Sequence, residues 1–296
     1  MDNLLSRGVV APILTPFNDD LSIADDLYVA HAQSLLDQGC AGLAPFGTTG
    51  EALSVGIDER IAAIKVLVDS GVDPALLVPG TGLTNIADTY RLSRACLDLG
   101  CSAVMTLPPF YFKAVTEDGL FDYFAALFSK LGSDARVFLY HIPPIAIVGI
   151  SPALTARLRD AFPANVVGIK DSSGDWENTK QLFDIKDMIV YPGSELPLLE
   201  ALEKGGPGCI SATANLNAKA IGEVIRLFDS GDVAAARAKH ASVRQFRQTV
   251  EAYAPIPAQK RLLAESTGDA RWANVRPPLR PMPVDAGREL LAKLQN

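Results

Sequence analysis

Short apolar segments alternate with longer amphipathic segments over the first three quarters of this chain. Eight apolar segments recur at intervals of roughly thirty residues, the length of a strand–helix–strand unit. They cover residues 9–17, 42–46, 76–80, 103–107, 136–142, 166–170, 188–192 and 208–212. Helices are predicted between them, at 58–70, 86–99, 117–131, after Ser151, and at 175–185, 195–204 and 216–230. The pattern therefore predicts an α/β fold with strands and helices in alternation.

The number and character of these strands favour a closed barrel. Nearly continuous apolar segments are typical of parallel strands that are buried on both faces, and eight such strands close into a (β/α)8 TIM barrel. An open doubly wound sheet is the alternative, and its first strand usually leads into a G-x-G-x-x-G turn. Here the first segment runs into Thr15-Pro16-Phe17-Asn18, which contains no glycine. We therefore predict a TIM barrel.

The alternation ends near residue 230. The segments 233–252, 256–266 and 285–294 predict helices with no strands between them, and the proline-rich stretch 276–283 predicts a rigid extended link. We therefore divide the chain into a catalytic barrel at residues 1–230 and a C-terminal helical extension at residues 231–296.

Composition and charge restrict the class of protein. Apolar residues make up 48% and charged residues 21%, which is enough for a large core, and the net charge of -7 argues against a nucleic-acid partner. No basic start precedes an apolar core, and no run of about 18 apolar residues occurs, so we expect no signal peptide and no membrane span. The four scattered cysteines, Cys40, Cys96, Cys101 and Cys209, form no C-x-x-C pair and predict reduced core residues of a cytoplasmic protein. The three distant histidines predict no His/Cys metal site, and a hard cation held by carboxylates is the alternative that stays open.

Lys170 is the most informative single residue. Active sites of such barrels lie at the carboxyl ends of the strands, and Lys170 ends the apolar segment 166–170. Burial disfavours an ammonium ion, so we expect a lowered pKa for Lys170 and an amine able to form a Schiff base with a ketone. The alternative is a structural lysine paired with Asp171 or another carboxylate.

Two further strand ends carry candidate chemistry. Residues 47–51, Gly-Thr-Thr-Gly-Glu, offer backbone N–H groups and the hydroxyls of Thr48 and Thr49 to a carboxylate, although a plain tight turn has the same composition. Tyr140 ends the strand before Lys170, where a phenol can carry protons during imine formation. The alternative role for Tyr140 is packing.

These segments together resemble the dihydrodipicolinate synthase / N-acetylneuraminate lyase family of class I pyruvate aldolases. The resemblance covers nearly the whole chain and is carried by residues 12–17, 47–51, 139–143, 168–174 and 211–215. It implies a (β/α)8 barrel with C-terminal helices, a homotetramer built from two tight dimers, and a small-molecule 2-oxo acid as substrate. It also implies an imine on Lys170, so that no separate cofactor and no metal are expected.

The resemblance assigns roles to individual residues. Tyr140 is implied as the proton shuttle, Thr48 and Thr49 with Gly47 as the carboxylate site, and Thr49 as a member of the relay. Tyr111 matches a tyrosine that enters the neighbouring subunit's relay, and the Ile210 carbonyl is implied to lie near Tyr140. Gly193 and Glu195 fall near the position where the lyase branch contacts sugar hydroxyls.

Departures from the family pattern bear on the substrate. In the synthase branch an arginine stands two residues beyond the strand-five proline and binds a carboxylate, whereas here Pro143 is followed by Pro144 and Ile145. We therefore predict a lyase that cleaves a 2-keto-3-deoxy sugar acid, or a related 4-hydroxy-2-oxo acid, to pyruvate and an aldehyde. The alternatives are a 2-keto-3-deoxy acid dehydratase, 4-hydroxy-tetrahydrodipicolinate synthase, and a sugar-acid sensor without enzymatic activity.

Overall fold

The computed structural model of the protein describes residue 5 and residues 7–295. The predicted absence of a signal peptide concerns the first residues, of which residues 1–4 and 6 lie outside the described part. Residue 296, the last of the predicted helical extension, also lies outside it. The strands are β1 (Gly8–Ala11), β2 (Gly42–Leu43), β3 (Val104–Thr106), β4 (Val137–His141), β5 (Val166–Asp171), β6 (Ile189–Pro192) and β7 (Gly208–Ile210).

Twelve α-helices occur within the described residues. They are α1 (Asp25–Asp37), α2 (Ile57–Asp69), α3 (Ile86–Asp98), α4 (Glu117–Leu131), α5 (Pro143–Ala146), α6 (Pro152–Ala161), α7 (Trp176–Leu182), α8 (Leu198–Glu203), α9 (Ala214–Asp229), α10 (Val233–Glu251), α11 (Pro255–Thr267) and α12 (Val284–Gln295). None of them has both the length and the apolar character that a bilayer-crossing helix needs.

The described residues form two compact units. Unit 1 contains residues 5, 7, 8 and 73–210, and unit 2 contains residues 9–72 and 211–295. Residues 9–72 thus belong to the same unit as the helices that follow β7, and the boundary at residue 230 stays a prediction.

Unit 1 is built around a parallel four-stranded sheet in the order β3-β4-β5-β6. Each residue of β4 and β5 is buried, which explains why these strands read as continuous apolar segments. Helix α4 begins and ends where the sequence predicts: Thr116 caps it, and Gly132 follows it with a φ of 85°.

The predicted strand at 76–80 is largely replaced by other structure. Residues Pro74–Leu76 form a 3-10 turn, and after it Leu77 and Gly80 are single bridge positions, of which Gly80 bridges Met105 in parallel. The Pro79 carbonyl accepts a hydrogen bond from the Met105 N–H at 2.8 Å, and the Thr81 N–H donates to Met105 at 2.9 Å. Prolines at 74 and 79 lack the N–H that a longer ladder requires, so the strand prediction was wrong in length.

Unit 2 contains the parallel pair β1–β2 and helices α1, α2 and α9–α12. The three C-terminal helices α10–α12 agree with the predicted segments within two residues at each end. Helix α1 was not predicted, although Tyr28, Ala32 and Leu35 are buried along one side. All four cysteines are buried and free, as predicted.

Candidate active site

Lys170 and Tyr140 lie side by side in unit 1. Strands β4 and β5 pair in parallel with Tyr140 opposite Lys170, so the two side chains leave the same face of the sheet. The Lys170 Nζ lies 4.3 Å from the centroid of the Tyr140 ring, and both residues are almost fully buried. The structure thus brings together the two residues that the sequence proposes for imine chemistry, one strand position before the end of β5.

Asp171 does not pair with this lysine. Its Oδ1 accepts a hydrogen bond from the Ser173 N–H at 2.8 Å, and its Oδ2 accepts from Asn178 at 2.9 Å and Thr179 at 2.7 Å. Successive side chains of a strand point to opposite faces, so Asp171 ties the following loop to α7. Within the described part of unit 1, no carboxylate forms an ion pair with Lys170.

His141 stabilises the segment that follows β4. Its Nδ1 accepts a hydrogen bond from the Ile150 N–H at 2.8 Å, so the ring proton is on Nε2. Burial lowers the pKa of His141, and the Asp171 charge opposes this shift. Gly149 packs so closely that an added Cβ would lie 2.8 Å from the His141 ring. We therefore assign His141 a structural role.

The other unit 1 candidates are placed very differently from one another. Tyr111 is 87% exposed and has a φ of 78°, whereas Lys170 is buried. Glu195 is fully buried. Gly193 lies against the loop after β5, where an added Cβ would collide with Ser172. Ile210 is the buried last residue of β7, and the role of its carbonyl stays a prediction.

The 47–51 turn belongs to unit 2. It is closed by backbone hydrogen bonds from Gly50 and Ala52 to the Gly47 carbonyl. An added Cβ at Gly50 would lie 2.9 Å from a backbone oxygen of Ile13, which explains the glycine. Within the described part of this unit, neither the N–H nor the hydroxyl of Thr49 has a hydrogen-bond partner. Both groups are therefore available to a ligand carboxylate.

A buried ion pair supports this turn from the C-terminal helices. Glu51 has a φ of 54°, and its Oε1 accepts a hydrogen bond from the Lys260 Nζ at 2.5 Å, with both side chains fully buried. Its Oε2 accepts from the Arg276 N–H at 3.1 Å. Lys260 also donates to the Asn274 carbonyl at 2.6 Å and lies 4.3 Å over the Phe17 ring. Sequence reasoning missed this cluster, because its partners stand more than 200 residues apart and no local motif marks them.

We expect Glu51→Gln to lower the free energy of unfolding by about 3–5 kcal/mol, because it leaves the buried Lys260 ammonium without its counter-charge. Urea unfolding at a fixed protein concentration measures this change. The double variant Glu51→Gln/Lys260→Met should lose less stability than the sum of the two single variants. Asp69→Asn is the control, since the Lys65–Asp69 pair is exposed and should cost less than about 1 kcal/mol. A similarly small cost for Glu51→Gln would contradict the proposed support of the turn.

Comparisons with known proteins agree with this architecture. A model of the dihydrodipicolinate synthetase family matches residues 5–296. An uncharacterized DapA-like lyase of Chloroflexus aurantiacus is 36% identical over 93% of this chain and 92% of its own length.

Two solved structures are similar over nearly their whole length. Dihydrodipicolinate synthase from Agrobacterium tumefaciens has a TM-score of 0.88 and 34% identity, covering 98% of each chain. YagE, an E. coli K12 prophage protein solved in complex with pyruvate, has a TM-score of 0.91 and 26% identity, covering 98% of this chain and 97% of its own. The present chain therefore belongs to the dihydrodipicolinate synthetase family and has its TIM-barrel fold, and the family membership supports a general lyase activity.

Proposed function

We propose that this protein is a Schiff-base-forming class I aldolase that cleaves a 2-keto-3-deoxy sugar acid, or a related 4-hydroxy-2-oxo acid, to pyruvate and an aldehyde. The observation that carries the proposal is the position of the Lys170 amine over the Tyr140 ring, buried and without an ion pair in the described part of unit 1. A buried amine next to a phenol combines a nucleophile with a proton donor and acceptor. The imine on Lys170 makes a separate cofactor unnecessary.

Substrate binding in this proposal uses the 47–51 turn. The hydroxyls of Thr48 and Thr49, with the N–H groups that follow Gly47, hold the carboxylate of the 2-oxo acid. The Thr49 groups that have no partner within unit 2 support this role. Gly193, Glu195 and the Ile210 carbonyl line the remainder of the substrate site. Tyr111, which is exposed on one chain, reaches the relay of a second chain in the proposed homotetramer.

The proposed reaction begins when the Lys170 amine attacks the C2 ketone. Tyr140, with Thr49, moves protons while the carbinolamine loses water and becomes an iminium ion. Tyr140 then accepts the proton of the C4 hydroxyl, the C3–C4 bond breaks, and its electron pair moves into the iminium as the aldehyde leaves. The resulting enamine takes a proton at C3. Water then hydrolyses the imine and releases pyruvate.

The segment after β4 supports a substrate without a second carboxylate. Pro143–Ala146 forms the short helix α5, and Ile145 within it is 55% exposed. An arginine there could bind a carboxylate with two parallel hydrogen bonds, whereas an isoleucine offers no donor. This difference disfavours 4-hydroxy-tetrahydrodipicolinate synthase, the activity named for the family's lysine-pathway members.

The experiment is reductive trapping with pyruvate. We expect incubation with pyruvate and borohydride to add one reduced pyruvyl group, which peptide mapping should locate on Lys170. An unmodified protein would contradict the Schiff base and favour a sugar-acid sensor. Product analysis with a 2-keto-3-deoxy sugar acid then separates the remaining reactions. Pyruvate with an aldehyde identifies the aldolase, and a dehydrated keto acid identifies the dehydratase. Consumption of aspartate semialdehyde with pyruvate identifies the synthase.

A further inference from the structure

A cavity of about 760 Å³ lies within unit 2, between α1 and the C-terminal helices. Its walls are mostly apolar and include Phe246, Leu262, Trp272 and Leu291. Two buried polar side chains, His31 of α1 and Asn215 of α9, also line it. The volume is in the range of small-molecule sites, which combine apolar walls with a few polar groups.

The tautomer of His31 follows from its neighbour Asn215. The Asn215 Nδ2 donates to the carbonyls of Pro12 at 3.0 Å and Ala212 at 2.8 Å, and its Oδ1 accepts from the Leu14 N–H at 3.0 Å. These bonds fix the orientation of the amide. The His31 Nε2 lies 2.9 Å from the same Oδ1, so Nε2 must carry the proton and donate it. The other ring nitrogen, Nδ1, is therefore an acceptor.

This acceptor is not used by the rest of unit 2. Within its described residues, His31 Nδ1 has no hydrogen-bond partner, although only 8% of the residue is exposed. Burial lowers the pKa of His31 to about 4, and the bond to Asn215 opposes this shift, so the ring is neutral near pH 7. The edge-on contact with Trp272, 4.9 Å between ring centroids, holds the imidazole in place. His31 Nδ1 is not among the fully buried atoms without a partner in the described residues, so a donor that enters the cavity can reach it.

Charge restricts the class of ligand. No lysine or arginine is among the described residues that line the cavity, so it offers no counter-charge to an anion. The one carboxylate that lines it, Asp269, accepts hydrogen bonds from Arg271 at 2.8–3.2 Å. A cation would therefore compete with an existing ion pair.

We propose that this cavity binds an uncharged, mainly apolar small molecule whose single O–H or N–H group donates a hydrogen bond to His31 Nδ1. Its apolar body packs against Trp272 and the C-terminal helices. Because His31 bonds to Asn215, and Asn215 bonds to Pro12 and Leu14, the occupied site is linked to the segment that follows β1. The site is distinct from the Lys170 imine and does not depend on the proposed reaction.

The test is calorimetric titration of the full-length protein with indole and with 1-benzofuran. The two probes have nearly the same shape, but only indole has an N–H donor. We expect indole to bind about tenfold more tightly, the factor that one hydrogen bond of about 1.4 kcal/mol gives. His31→Phe keeps an aromatic ring but removes the acceptor, so the two probes should bind it equally. Lys170→Ala should bind indole as the parent does.

A second variant keeps the test decisive if His31→Phe does not fold. Ser34 lines the cavity from the exposed surface of α1, one turn after His31, so Ser34→Phe should fill the entrance and abolish indole binding. Gln33→Phe, on the same helix but outside the cavity lining, is the matched control and should bind indole normally. Equal affinities of the parent for both probes, or unchanged binding in Ser34→Phe, would overturn the proposal, as would the absence of any indole binding.

Discussion

Lys170→Ala abolishes turnover and the pyruvyl adduct while the protein stays folded, if the proposed imine is correct. The side chain lies inside the parallel sheet, and alanine cannot supply the amine that attacks the ketone. The variant removes a buried amine that has no ion pair in the described part of unit 1, so no carboxylate there loses a partner. Steady-state release of pyruvate measures the activity, and circular dichroism with thermal melting measures the fold.

Lys260 supplies the control for this experiment. It is a second fully buried lysine, and burial lowers its pKa to about 8 against the attraction of Glu51. A lowered pKa therefore does not by itself identify a lysine as the nucleophile. The Lys260 Nζ is bonded to Glu51 and to the Asn274 carbonyl, so it is not free to attack a ketone. An adduct that maps to Lys260, or turnover that survives in Lys170→Ala, would contradict the assignment.

The strand and helix pattern predicted most of the fold because apolar segments of parallel strands are continuous and easily recognised. It also placed Lys170 and Tyr140 together, since both stand near the ends of neighbouring strands. The pattern failed at residues 76–80, where the segment is apolar but Pro79 removes a ladder donor. It also failed for α1, whose buried face includes only a few large apolar side chains.

The support of the 47–51 turn could not be predicted from the sequence. The sequence alone predicts Glu51 as the last residue of a turn and Lys260 as a polar residue within a helix. Only the tertiary structure pairs them, at a separation of 209 residues. The same holds for His31 and Asn215, which stand 184 residues apart. Neither pair leaves a local signal in the sequence.

Tyr140→Phe should lower kcat by a factor on the order of 10²–10⁴, the usual contribution of a positioned general acid–base. Phenylalanine keeps the ring beneath the Lys170 amine, where the centroid lies 4.3 Å from Nζ in the parent, and removes only the hydroxyl. The loss can therefore be assigned to proton transfer. Reductive trapping should still label Lys170 in this variant, but more slowly, because the amine remains while carbinolamine collapse loses its proton donor.

Tyr191 offers a matched control on the next strand. It stands opposite Lys170 in the β5–β6 register, and its buried hydroxyl has no hydrogen-bond partner among the described residues. Tyr191→Phe should therefore leave kcat within about twofold of the parent, and it should leave the protein at least as stable because no hydrogen bond is lost. If Tyr140→Phe were as active as Tyr191→Phe, the phenol of Tyr140 would not be the proton shuttle. Its ring would then serve only to pack beneath the amine, and another group would have to move the protons.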